Sequence, residues 1–289
     1  MALRISSPAK LNLFLAVRGK RPDGYHEIET LFERIDLVDK IFLEKASSGI
    51  TFGWDADSSL PARENLAVRA AVLFKKHFGI RRGVRIQIQK RIPLGAGLGG
   101  GSSNAASVLM GLARLWKIAP ASGELQVLGA SLGSDVPFFL LNRSFAIGRG
   151  RGEELVPVET EARLWHVLVF PDASLSTAAV YGALRQRALT PSPRADSKLR
   201  AEAFRKREIL ELARRGRNDL RRGALKLLPD LKDLEAQVRH AGVHSVSLSG
   251  SGPTLFTTHG NFREASRMRL VLSRRISETV MLAKTLSSH

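Results

Sequence analysis

Cysteine is absent from the 289 residues. Its absence excludes disulfides, a thiol nucleophile and Cys-ligated zinc, and suits a reducing compartment. No apolar run approaches the ~18 residues that span a bilayer, so no membrane-spanning helix is expected. The opening MALRISSPAKLNLFLAVRGK lacks the basic, apolar, small-residue order of a secretory signal, and the expected location is the cytoplasm. Acidic residues are scarce, 27 Asp+Glu against 45 Lys+Arg, for a net charge of +18. That excess points to a polyanionic partner or to a solubilising surface. What is present excludes a disordered chain: hydrophobic residues make up 44% and charged residues 25%, which suffices for ordinary cores. The length sets about two domains as the starting expectation.

The positive charge is unevenly spread. Between Arg185 and Lys226 there are 14 Lys+Arg and 5 Asp+Glu, so half of the excess falls in 42 residues. The segment opens with the turn-rich TPSPRADSK and continues as LRAEAFRKREILELARRG. In the latter, Phe204, Ile209, Leu210 and Leu212 fall on one side of a basic helix. A solvated helical face is the favoured reading, ahead of a nucleic-acid strip, because Phe204 is its only aromatic residue.

Elsewhere the hydrophobic pattern alternates between strand and helix periods. Lys10–Val17 reads as a strand with Leu11, Leu13, Leu15 and Val17 on one face, and Lys10, Asn12, Phe14 and Ala16 on the other. Arg21–Gly24 is a turn and Tyr25–Phe32 a second strand. Further strands are expected at 84–90, 145–149, 164–170, 243–248 and 254–258. Helices are expected at 64–77, 102–116, 122–132, 176–188, 230–240 and 262–276. No βαβ beat and no repeat period appears, so the class is α+β. The polar stretch Val156–Ala162 places a boundary near 155–163, giving units 1–158 and 159–289.

Between the strand at 84–90 and the helix after it lies PLGAGLGGGSSN, with glycines at 95, 97, 99, 100 and 101. Without Cβ atoms such a backbone can turn its N–H groups onto an anion at the positive end of a helix. A phosphate is the expected guest, with Ser102 or Ser103 capping the helix. The loop is neither of two common phosphate loops. The dinucleotide pattern needs an acid about 20 residues on, where LWKIAP stands, and the Walker pattern needs Lys where Ser102 stands.

The loop resembles the second motif of the GHMP small-molecule kinases. SPAKLNL at 7–13 resembles their first motif, and LSGSGPTLF at 248–256 their third. Three ordered motifs over some 250 residues make the resemblance specific. It implies a two-domain fold, with an N-terminal domain like domain 2 of ribosomal protein S5 and a ferredoxin-like α/β C-terminal domain. It also implies ATP as co-substrate, with Mg2+ as its expected companion. Lys10 and Asp135 are then the catalytic pair. Pro93, Leu94, Gly95, Ala96, Gly97, Leu98, Gly99, Gly100, Gly101, Ser102 and Ser103 form the ATP cradle, and Asn65 belongs to the nucleotide pocket.

RPDGYHEIETLF at 21–32 and GSDVPFFL at 133–140 are similar to one branch of the family, whose substrate is a cytidine diphosphate sugar alcohol. The branch implies that Tyr25 stacks on the cytosine and His26 hydrogen-bonds it, with Phe32, Tyr181, Thr177 and Asn12 as further substrate contacts. A pyrimidine offers a π face and a polar edge, which suit those residue types. Arg221 departs from the pattern, standing where an acid is often found. Related small-molecule kinases, and more distantly an RNA-binding module of similar first-domain fold, are the alternatives. A monomer and a weak homodimer both stay open.

Overall fold

The computed structural model describes residues 2–55, 61–184, 205–243 and 245–287. The first sheet is built on two long strands, β1 (Leu3–Lys20) and β2 (His26–Ala46), paired antiparallel from Leu3–Leu43 to Lys20–His26. Both run well past the expected segments. The strand expected at 84–90 joins the sheet, as do two that periodicity did not find, one at 50–54 and one at 154–157. β3 (Ile50–Trp54) runs parallel to its neighbour β4 (Gly83–Gln89), and α1 (Leu66–His77) makes the crossover that parallel pairing requires. After β4 come α2 (Gly100–Trp116), α3 (Glu124–Leu132), the short α4 (Val136–Leu140), and then β5 (Phe145–Arg149) and β6 (Glu154–Pro157). The order is β3-β4-β2-β5-β6, with β1 on β2. β6 occupies part of the stretch expected to be a linker, and Val158 and Ala162 just beyond it are buried.

The single face expected for Leu11, Leu13, Leu15 and Val17 is corrected by a bulge between Asn12 and Phe14. One extra residue there reverses the side-chain parity. Leu11 and Leu13 therefore share a core with Phe14 and Ala16, while Leu15 and Val17 enter a different one. The bulge leaves Lys10 and Asn12 opposite Arg34 and Phe32.

The second half begins with β7 (Trp165–Phe170) and α5 (Thr177–Gly182). It continues with α6 (Lys206–Arg215), α7 (Arg221–Leu227), α8 (Asp230–His240), β8 (Ser247–Leu248), β9 (Leu255–His259), α9 (Phe262–Ser273) and β10 (Thr279–Lys284). Its sheet has the order β10-β7-β9-β8, all antiparallel. The strand expected at 243–248 shrinks to Ser247–Leu248, and α7 and β10 were not foreseen. Residues 185–188 of the helix expected at 176–188, and Phe204, lie outside the described residues. One apolar cluster, including Leu11, Phe14, Phe145, Leu168 and Phe256, joins the two sheets. Among the described residues no helix is long and apolar enough to cross a membrane.

In the described part of the basic segment, Arg207, Arg214, Arg217 and Arg221 have acidic partners. Ile209 and Ala213 bury one side of α6, while Arg207 pairs with Glu211 at the surface. Arg221 bonds Glu235 at 2.8 Å, and the second oxygen of Glu235 takes Arg239 at 2.8 Å. The basic residue at 221 thus has its own acid on α8.

Burial pushes the His259 imidazole, bonded to Thr257 at 2.8 Å, down from 6.5 to about 4. The unfolded chain takes up that proton first, so the contribution is whole above pH 6.5 and is lost as the pH falls towards 4. Urea unfolding at stepped pH should show a shallower loss over this window for His259→Gln than for the wild type.

Candidate active site

Lys10 lies on β1 directly opposite Arg34 and is only 4% exposed. Its backbone N–H donates to Leu98 O at 2.9 Å, tying the strand to the glycine loop. The ammonium donates to Asn12 Oδ1 at 2.5 Å, faces Asp135 Oδ2 at 3.4 Å, and stands 5.5 Å from the centre of the Phe32 ring. Asn12 is oriented by a polar chain: its Nδ2 donates to Thr30 Oγ1 at 2.8 Å, and Thr30 donates to Phe14 O at 2.6 Å. With Thr30 committed as donor, the Asn12 carbonyl is the end left for the lysine.

Asp135 occupies the N-cap of α4, yet its carboxylate makes no bond to the helix amides. It points to Lys10 and keeps 28% of its side-chain surface open. The VPFFL sequence behind it is buried, so α4 acts as an apolar peg that holds the carboxylate beside Lys10.

The glycine loop alternates anchors with turns. Ala96 and Leu98 are buried in the core between the sheets, while Gly95, Gly97 and Gly99 take φ of 63°, 75° and 68°. A Cβ on Gly97 would stand 2.2 Å from Ser249 O, which no neighbour can yield. α2 starts at Gly100, two residues earlier than expected, and its N-cap is Gly99 with no side-chain cap. Ser102 and Ser103 therefore lie inside the first turn and do not cap it. Ser103 is buried and takes a hydrogen bond from Ser7 Oγ at 2.8 Å. Pro93, Leu94, Gly95 and Gly101 are exposed, and Gly97, Gly99, Gly100 and Ser102 are half-buried. The first turn holds no acid, so its amides and the helix dipole favour an anion.

The third motif braces this loop. Ser249 Oγ donates to Gly97 O at 3.0 Å, and Gly250 sits where a Cβ would be 3.1 Å from Lys10 Nζ. Asn218 Nδ2 donates to Leu248 O and Gly250 O, both at 2.8 Å. Thr177, first in α5, shares a hydrogen bond of 3.0 Å with Ser251. Ser7, Asn218 and Ser249 were not anticipated as parts of the site. Ser7 and Ser249 lie within the first and third motifs, which is the signal that could have found them, whereas Asn218, between Arg217 and Asp219, carries none.

The expected base-recognition residues are placed as follows. His26 stacks on Tyr181 with centroids 5.1 Å apart. Burial, helped by the Lys20 charge, pushes the His26 imidazole below its usual value and so favours its neutral form. Burial first, and the Asp135 charge second, push the Tyr181 phenol above its usual value. Tyr25 is 54% exposed and has the Arg151 guanidinium 4.0 Å from its ring centre. Phe32 is fully buried and stacks on Phe138 behind Lys10. Asn65 is the N-cap of α1, accepting from Ala67 N at 2.9 Å. The adjoining Leu66 lies 3.5 Å from where Gly101 would carry a Cβ, so the starts of α1 and α2 meet.

This arrangement is a lysine and carboxylate pair beside a glycine loop at a helix start, with the stacked rings of His26 and Tyr181 nearby. Residues 65–143 match the GHMP kinases N terminal domain and residues 201–277 the GHMP kinases C terminal domain. A 4-diphosphocytidyl-2-C-methyl-D-erythritol kinase from Alkaliphilus metalliredigens is 39% identical over 91% of this chain and 90% of its own length. One of the same name from Pelotomaculum thermopropionicum is 36% identical over 99% and 98%. The crystal structure of a 4-(cytidine 5'-diphospho)-2C-methyl-D-erythritol kinase superposes with a TM-score of 0.78 at 38% identity, covering 98% of each chain.

Proposed function

The chain belongs to the GHMP kinases, and among them to the 4-diphosphocytidyl-2-C-methyl-D-erythritol kinases, and from that membership we propose how its residues divide the reaction. It phosphorylates the 2-hydroxyl of 4-diphosphocytidyl-2-C-methyl-D-erythritol with ATP, giving the 2-phosphate and ADP in the non-mevalonate route to isoprenoids. One observation carries the assignment of roles: the Lys10 ammonium is held between Asn12 Oδ1 and Asp135 Oδ2 at the root of the glycine loop.

Phosphoryl transfer asks for positioning and charge stabilisation more than for covalent chemistry. Asp135 orients the 2-hydroxyl and accepts its proton as the oxygen attacks the γ-phosphorus. Lys10 offsets the negative charge on the transferred group. The amides of 95–103 and the start of α2 hold the remaining phosphates, with Asn65 lining the nucleotide side. At the other end, His26 hydrogen-bonds the cytosine edge, and Tyr25 and Tyr181 offer ring faces. Thr177 offers a hydroxyl to the substrate, Asn12 acts through the Lys10 ammonium that it holds rather than by touching the substrate, and Phe32 backs Lys10. Magnesium belongs to this proposal as the counter-ion that ATP brings, since phosphate charge has to be offset. Among the described residues no three His, Asp or Glu side chains gather into a cation cage.

The division into units 1–158 and 159–289 is part of the same reading, supported by the change of sheet between Pro157 and Trp165. So is a cytoplasmic location, supported by the need for ATP. ADP release tests the substrate assignment: turnover with the cytidylylated alcohol should exceed that with mevalonate or homoserine by at least about 10²-fold. Comparable turnover on either of those would refute it.

A further inference from the structure

Asp39 lies on the inward-facing parity of β2, between Leu37 and Ile41, and is fully buried. A buried carboxylate is costly unless it is paired and its oxygens are filled, and here both conditions are met. Oδ1 accepts from the backbone N–H of Arg91 at 2.8 Å and of Ile92 at 2.9 Å. Oδ2 accepts from Asn104 Nδ2 at 2.9 Å and from the Lys90 ammonium. The Asn104 amide group also donates to Ser7 Oγ at 2.9 Å, and Ser7 donates to Ser103. Ser7 is the ladder partner of Asp39, so the network is closed across β1 and β2.

These contacts bracket the glycine loop. Arg91 and Ile92 are the residues before Pro93, and Asn104 is the residue after Ser103. We propose that Asp39 is the positioning residue of this kinase: one carboxylate that clasps both ends of the loop at 93–103 and so sets the path of its amides. A run containing five glycines has large conformational freedom when released, and fixing its two ends removes much of it. Only a carboxylate has two acceptor oxygens for donors arriving from both ends. The consequence for ATP rests on the assignment of this loop to the phosphates, whereas the clasp itself does not.

Asp39→Asn turns one acceptor into a donor that confronts either the Arg91 and Ile92 amides or Asn104 and Lys90. Amide hydrogen exchange over 93–103 in the nucleotide-free protein should rise about 10-fold or more, with exchange in β7 unchanged. In steady state, KM for ATP should rise about 10- to 100-fold, while KM for the alcohol stays within about threefold. If Asp39→Asn does not fold, Asn104→Ala, which releases only the far end, should move both readings in the same direction by a smaller factor. Wild-type loop exchange in a folded variant overturns the proposal. So does a rise spread equally over both sheets, because that marks general loosening. Faster exchange confined to the loop, with neither KM moved, leaves the clasp standing and counts against the loop as the phosphate site.

Discussion

Asp135→Asn is expected to lower kcat by about 10²- to 10⁴-fold, the range that a positioned acid or base contributes, while ADP affinity stays within about threefold. The substitution keeps the shape of the side chain and removes its negative charge, and with it the capacity to take a proton and the partly exposed ion pair with Lys10. The helix behind it is not at risk: the carboxylate makes no capping bond to α4, and Asn is as good an N-cap residue. Thermal melting should therefore match the wild type, separating chemistry from folding. Isothermal titration with ADP and single-turnover phosphoryl transfer are the two measurements needed. Undiminished turnover would remove Asp135 from the reaction.

Lys10→Met has the second largest expected effect. The substituted side chain keeps an unbranched stem against Gly99 and Phe32 but loses the charge aimed at the transferred phosphoryl. kcat and kcat/KM should fall together by about 10²- to 10³-fold, as for removal of one preorganised donor in other enzymes. An effect on KM alone would mean that Lys10 serves binding equally in ground and transition states. Some stability should go as well. Asn12 is 3% exposed and would lose the donor to its Oδ1, a cost of about 1–3 kcal/mol for a buried acceptor. Asp135 is open enough to be rehydrated and adds little to that cost.

Much of this site could be read from residue order, and the reason is local. A dense glycine run between a strand and a helix has few uses, and Gly95–Gly101 does form a turn at a helix start. The pairing of Lys10 with Asp135 spans 125 residues, and no periodicity connects them; only resemblance did. The parity of β1 was misread because a bulge at Asn12–Phe14 has no signature in an unbroken apolar run. Short edge elements such as β3, β6 and β10 also escaped, since four to six residues hold too few repeats to reveal a period. Asp39 was legible in principle: an acid on the apolar parity of a strand needs partners. The partners lay 51 to 65 residues away.

The segment Arg217–Asp219 has a mechanical consequence. It comes from the second half of the chain, yet Asp219 N bonds Leu15 O at 3.0 Å, Leu15 N bonds Arg217 O at 2.9 Å, and the Asp219 carboxylate takes Val17 N at 2.9 Å. From the opposite end, Leu286 N bonds Arg34 O at 2.8 Å. Chain from one half is thus stitched to β1 and β2 at separate places, like a lid screwed down along two sides. A hinge between the sheets would have to tear both seams before it could swing. The strands that carry Lys10 and Asn12 are thereby fastened to the second half of the chain at two separate places.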